Sequence, residues 1–379
     1  MPDLEILAVL RERLERSLVQ SAYPLWATAG IDARGGFVER LDTNGYPLAA
    51  DVRARVPPRQ LFSYSLASDF GWTGDIATLL RNGLREFEAR YRRPDGLYRT
   101  LVAFDGTVRD DSALLYDQAF ALLGLTGTAR LLGYAEQERR ALELRDAIAA
   151  AYRTGRGEFR SDHSTHDVRE INPHMHLLEA CLAWAEIGGD STWQQWADEI
   201  VDLALRRFIS SKTGALTEAF TSTWSAAPGP LGRRVEPGHQ FEWAWLLLRW
   251  AARQPRSLQQ ANARRAALDL IEVGERFGVR DGFAVNALLD DFTMSEPDAR
   301  LWPQTERLKA ALSAAALTSE PRYLTMAVSA ASALAAFLDT RVAGLWFDRR
   351  LASGEWVIEP APASSFYHIV GAIHALKRR

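Results

Sequence analysis

The fold class predicted by this sequence is all-α: an (α/α)6 barrel of twelve helices, with short β hairpins in the long loops at one end. Three observations predict it: a motif repeated six times along the chain, two alternating sets of helical periodicity, and unequal connections between the two sets.

The motif is a glycine followed within two residues by an aromatic or large apolar residue. It occurs as Gly36-Phe37, Gly96-Leu97-Tyr98, Gly157-Glu158-Phe159, Gly214-Ala215-Leu216, Gly282-Phe283 and Gly344-Leu345-Trp346, with successive glycines 60, 61, 57, 68 and 62 residues apart. One such pair means little. Six at near-equal spacing divide the chain into six units.

Between the glycines, apolar residues recur at three and four. One set of helices is expected over Leu4–Trp26, Ile76–Tyr91, Ala135–Tyr152, Trp193–Phe208, Leu258–Phe277 and Tyr323–Leu338. A second set reads Pro58–Asp69, Asp110–Leu125, Pro173–Ile187, Gly238–Trp250, Pro303–Leu317 and Ser364–Lys377. The second set is apolar on nearly every side, as in Phe241-Glu242-Trp243-Ala244-Trp245-Leu246, so it belongs inside and the first set outside. Links from inner to outer helices are short, as at Gly188–Ser191. Links from outer to inner are long and carry the glycine motif. In such a toroid every long loop falls at one end, above the N-termini of the inner helices, and that end is expected to hold the functional pocket.

Composition narrows the function. The chain has 379 residues and a net charge of −3 with both signs mixed throughout, which gives no footprint for nucleic acid or a membrane surface. Residues 1–379 are expected to form a single catalytic domain. Cys181 is the only cysteine, which rules out disulfides within the chain and a thiol metal cluster. The acidic start has no long apolar run of the secretory kind, and no stretch of about 18 apolar residues is present to span a bilayer, so a cytoplasmic protein is expected. No dinucleotide or Walker glycine pattern supports a nucleotide cofactor.

Polar residues near the starts of the inner helices are Arg59, Tyr116, Asn172 with His176, His239 with Glu242, Gln304 with Glu306, and His368. Every unit contributes at least one, so they are expected to converge on one mouth. Caps explain polar residues at helix starts in general, but histidine is not a favoured cap. His239 and Glu242 lie three apart on one helix face and can act together. A histidine in a first turn feels the positive helix end, which predicts a lowered pKa and a neutral, proton-accepting His239. His174 and His176 are two apart and point to different sides, so they do not chelate a metal as a pair. With no His-Glu-x-x-His pattern and no carboxylate-rich loop, no metal is expected. His163 and His166 read as loop residues and His374 as core or surface. Packing in the wall is expected for most of the twelve tryptophans, and Trp302 and Trp243, near the pocket end, are the two placed to stack on the ring of a ligand.

Five stretches carry a family resemblance: Pro58-Arg59-Gln60, Asn172-Pro173-His174-Met175-His176-Leu177-Leu178-Glu179-Ala180, Pro237-Gly238-His239-Gln240-Phe241-Glu242-Trp243, Arg300-Leu301-Trp302-Pro303-Gln304-Thr305-Glu306 and Phe366-Tyr367-His368. Over nearly its whole length the chain resembles the N-acylglucosamine 2-epimerase superfamily, most closely its D-mannose isomerase branch. The resemblance implies an (α/α)6 barrel that acts on a monosaccharide, as a monomer or homodimer, without a cofactor. It implies His239 and His368 as the acid–base pair and His176 as a third pocket histidine. It implies Arg59, Tyr116, Asn172, Glu242, Trp302, Gln304 and Glu306 as sugar-contacting positions.

The expected reaction interconverts D-mannose and D-fructose. A base removes the C2 proton of the open-chain aldose, and the resulting enediolate takes a proton back at C1. Return to the opposite face of C2 would make the protein a sugar 2-epimerase. Some relatives carry mannose-6-phosphate isomerase names; no phosphate cradle is evident in the sequence, although Arg233 and Arg234 could bind an anion. A glycoside hydrolase on the same fold would be expected to work with two carboxylic acids instead.

Overall fold

The computed structural model describes residues 2–161 and 168–378. His163 and His166 lie outside the described residues. Among the described residues, six inner and six outer helical rods alternate along the chain. The first outer rod is α1 (Pro2–Ser17), a π turn over Leu18–Ala22, and α2 (Tyr23–Thr28). The others are α4 (Ile76–Tyr91), α6 (Tyr134–Tyr152), α8 (Ser191–Leu203, extended by a π turn to Phe208), α10 (Leu258–Gly278) and α12 (Pro321–Phe337). The inner ring is α3 (Val56–Ser65), α5 (Leu115–Leu132), α7 (Ile171–Glu186), α9 (Pro237–Arg253), α11 (Leu301–Thr318) and α13 (Phe366–Lys377). Each inner helix contacts the next, and α13 returns to α3. Among the described residues no helix is long and apolar enough to cross a membrane.

The expected helix over Asp110–Leu125 begins later. Val108–Asp110 is a strand paired with Leu101–Val102, Leu114 is extended, and α5 runs from Leu115 to Leu132. Apolar periodicity could not separate this strand from the helix that follows it.

Helix starts differ between the layers. Outer helices α4, α8 and α10 are capped by Asp75, Asp190 and Ser257, each accepting an amide N–H. Inner helices α5, α7, α9 and α11 begin after extended residues with no side-chain cap. Loop carbonyls take the first amide instead: Leu115 N donates to Ser161 O, Ile171 N to Glu218 O, and Leu301 N to Asp348 O. Each acceptor lies four residues after a repeat glycine.

A second repeated contact ties loop to helix. Gln118, Gln240 and Gln304 each accept from, and donate to, the backbone of one loop residue: Tyr98, Leu216 and Ala284 respectively. Each loop residue lies two after a repeat glycine. His174 holds the same place in the third unit, with Nε2 accepting from Phe159 N at 3.2 Å and Nδ1 3.0 Å from Glu170 O. The glycines are needed where the loop turns: at Gly157, φ is +71° and a Cβ would lie 2.4 Å from Glu199 O. In the first unit the left-handed residue is Gly35, one before the expected Gly36.

Short strands carry site residues to the mouth of the ring. Val52–Arg53 pairs with Leu101–Val102, Val168–Glu170 with Ala219–Thr221, and Arg40–Leu41 with Ala361–Pro362. Met294–Arg300 and Arg234–Val235 both join Phe283–Leu289 and lead into α11 and α9.

Candidate active site

A cavity of about 290 Å³ opens at the N-terminal end of the inner ring. Its lining includes Arg59, Tyr116, Asn172, His176, His239, Glu242, Trp302 and His368, eight of the ten residues that the sequence brought forward. The other two lie behind it. Gln304 is fully buried and committed to Ala284 and to Arg300 O, so it is a clamp on the loop rather than a sugar contact. Glu306 is fully buried and accepts from His368 Nδ1 at 2.8 Å.

The two expected acid–base histidines share one device. His239 Nδ1 lies 2.7 Å from Glu218 Oε2, as His368 Nδ1 does from Glu306 Oε1, leaving each Nε2 for the cavity. The Trp302 ring neighbours both, 5.0 Å from His239 and 5.9 Å from His368. Their charges diverge. Burial would lower the pKa of His239, but Glu218 and then Glu236, 3.7 Å away, outweigh it and push the value up to about 10. This reverses the sequence expectation: the paired carboxylates overcome the helix end, and His239 is held as the imidazolium. Burial, Arg59 and Lys309 together push His368 well below the ordinary histidine value, so it is neutral.

Carboxylates gather below the cavity, which the sequence reading did not foresee. Glu242 was expected to support His239. It lies instead 3.9 Å from His176 Nδ1, and burial followed by the neighbouring Glu306 pushes its pKa well above the carboxylate range. A protonated Glu242 is a hydrogen-bond donor at the cavity floor. Glu179 lies 3.3 Å from His176 Nδ1 and accepts from the Tyr367 hydroxyl. Lys309 Nζ lies 2.5 Å from Glu306 Oε2. Three sets of His and Glu atoms here, including Glu242 with Glu306 and His368, approach within 4.8 Å of one another. The donor set resembles a cation site, but Lys309 already supplies a positive charge beside Glu306.

Arg59 donates to the Tyr116 hydroxyl at 2.7 Å and lies 3.9 Å over the Phe120 ring. Asn172 sits one residue inside α7 rather than capping it, and its buried Oδ1 has no hydrogen-bond partner among the described residues. Trp243 belongs to the wall, buried against Phe208. Arg233 pairs with Asp290 and Asp291, and Arg234 with Glu236 and Glu296, and neither lines the cavity, so they are not anion contacts there.

Residues 35–372 match the N-acylglucosamine 2-epimerase (GlcNAc 2-epimerase) family. The chain belongs to that family. It is therefore an enzyme of the sugar isomerase and epimerase kind, which sets the glycoside hydrolase alternative aside. It is 46% identical over 371 residues to a mannose-6-phosphate isomerase of Rhizobium meliloti (strain 1021), covering 95% of each chain. It is 29% identical over 309 residues to a D-mannose isomerase of Thermobifida fusca, covering 75% of this chain and 74% of that one. A crystal structure of a D-mannose isomerase superposes with a TM-score of 0.86 at 19% identity, over 98% of this chain and 97% of the other, which shows the shared barrel.

Sequence reasoning about this family member missed Glu218 and Glu236, the two carboxylates that charge His239. A signal was available for both. Glu218 lies four residues after repeat glycine Gly214, where Asp348 follows Gly344, and Glu236 lies three before His239.

Proposed function

We propose that residues 1–379 form one catalytic domain that interconverts the aldose and ketose forms of a mannose- and fructose-configured sugar through a cis-enediolate. One observation carries the acid–base assignment: two histidines beside Trp302 are driven to opposite protonation states, His368 by burial with Arg59 and Lys309, and His239 by Glu218 and Glu236. Neutral His368 takes the C2 proton of the open-chain aldose on Nε2. The imidazolium of His239 gives a proton to the carbonyl oxygen O1. Arg59 and the protonated Glu242 hold the enediol oxygens and lower the energy of developing negative charge. His239 then removes the proton from O2, and His368 returns its proton to C1, giving the ketose with both histidines restored. Asn172, Tyr116, His176 and Trp302 bind the remaining hydroxyls and the sugar face, while Glu306 orients His368.

Return of a proton to the other face of C2 would give a 2-epimer from the same residues. The choice of ketose rests on the likeness to mannose isomerases. A second reading, in which the sugar is the 6-phosphate, is favoured by the name of the Rhizobium meliloti relative. Incubation with a panel of free and phosphorylated aldoses, read by chromatography, tests the reading. Ketose formation from mannose or its 6-phosphate is expected, and a panel left unchanged would overturn it.

A further inference from the structure

The proton transfers above use Arg59 and the His239 imidazolium. They leave three more cations at the same cavity without a task. Arg53, Arg55 and Arg300 line its mouth, the first two approaching from the segment before α3 and the third from the strand before α11. Their side chains remain 38%, 21% and 45% exposed, whereas those of His176, His239 and His368 are 4%, 7% and 8% exposed. The cavity thus has a buried end for proton transfer and a cationic rim.

Each rim guanidinium is steadied by a carboxylate that does not line the cavity. Arg53 Nε donates to Glu39 at 2.7 Å, Arg55 Nε lies 2.9 Å from Asp117, and Arg300 Nη2 lies 3.4 Å from Asp348. No hydrogen bond engages the Nη atoms of Arg55 among the described residues. Ser364 and Ser365 link the two sides: Arg53 Nη2 donates to Ser364 Oγ at 3.4 Å, and Ser365 Oγ donates to Asp348 at 2.9 Å. Both serines line the cavity just ahead of α13, whose N-terminus adds positive potential. Arg55, held through Nε, keeps both Nη atoms as a fork that fits phosphate oxygens. Arg53 engages Glu39 and Ser364 through Nη2 and keeps Nη1, and Arg300 engages Asp348 through Nη2 and keeps Nη1 and Nε. A neutral hexose has no charge for such a rim to meet.

We propose that Arg53, Arg55 and Arg300, with Ser364, form a phosphate subsite, and that the sugar is bound as its 6-phosphate. The proposal rests on the isomerase reading. With C1 and C2 at the buried histidines, the end of the sugar chain that reaches the rim is C6, and a phosphate there meets all three guanidiniums.

The test compares D-mannose with D-mannose 6-phosphate in the wild type and in Arg300→Gln and Arg53→Gln. The ester is expected to have the higher kcat/KM by about 100-fold or more, through KM, and each variant to lower the ester-to-free ratio by about 10–100-fold. Arg53→Gln leaves Glu39 buried beside it, so Arg300→Gln, at a more exposed position, keeps the test decisive if the first variant does not fold. Inorganic phosphate alone is expected to compete with the ester in the wild type and to compete less in Arg300→Gln. Equal or better turnover of free mannose, or an unchanged ratio in Arg300→Gln, would overturn the phosphate subsite while leaving the isomerase reading standing. Turnover of neither sugar would overturn both.

Discussion

At the scale of single residues, the site works by separating the charges of two histidines. His368→Ala and His239→Ala are each expected to lower kcat by about 10²–10⁴-fold, measured by steady-state kinetics on variants whose circular dichroism matches the wild type. The pH profile follows from the signs of the two shifts. His368 must be neutral, so kcat/KM rises with pH through a value below the ordinary histidine pKa of about 6.5. His239 must be protonated, so activity falls again only near pH 10. Glu218→Gln removes the carboxylate nearest His239, and the alkaline limb is expected to move to lower pH. An unmoved limb would show that Glu218 does not set that charge. The histidines themselves were legible in the sequence because they recur at helix starts. Their charges were not, because Glu218 and Lys309 reach them through the fold: Glu218 is 21 residues from His239, and Lys309 lies on a different helix from His368.

At the scale of elements, the loop clamps decide where the inner helices start. His174 makes the same contacts as Gln118, Gln240 and Gln304, and it can accept the Phe159 amide only while neutral. Burial lowers its pKa to about 4. Its folded-state value is depressed, so its contribution to stability is complete above about pH 6.5 and is lost as pH falls from there towards 4. His174→Gln is expected to preserve the clamp and remove this contribution to acid sensitivity. His174→Ala is expected to cost about 1–3 kcal/mol at neutral pH by leaving the Phe159 amide unsatisfied. Urea unfolding at two pH values checks both. The six-fold glycine spacing made the helices and their order readable, and the inner helices announced themselves by all-round apolarity. What the sequence hid was the exchange of roles within a shared position. Gln304 looked like a site residue because it neighbours Glu306, yet its place in the repeat is the clamp, and His174, set aside as a metal ligand by its spacing, holds that same place.

At the scale of the whole molecule, the ring is closed by contacts between the two ends of the chain. Trp346 stacks on Trp26 at 4.7 Å and on Phe366 at 5.6 Å, the Trp26 and Phe366 rings lie 6.3 Å apart, and Trp26 Nε1 donates to Gly344 O at 3.0 Å. Beside this stack, Ala363 N donates to Glu39 O, and α13 carries His368 against α11 and Glu306. Closure and catalysis therefore share α13. Trp346→Ala is expected to cost about 3–5 kcal/mol in denaturant unfolding, whereas Leu258→Ala, at a 78% exposed position, changes stability by less than about 0.5 kcal/mol. Equal effects would mean that the seam does not hold the ring shut.

The central claim, proton transfer between C2 and C1 by the histidine pair, is tested most directly by NMR of the product formed in D₂O from D-mannose or its 6-phosphate. Exchange of the base with solvent during the enediolate's lifetime predicts a fructose-configured product with deuterium at C1, at an initial rate that falls in His368→Ala. A glucose-configured product labelled at C2, formed first and with little ketose, would contradict the account and make the enzyme a 2-epimerase.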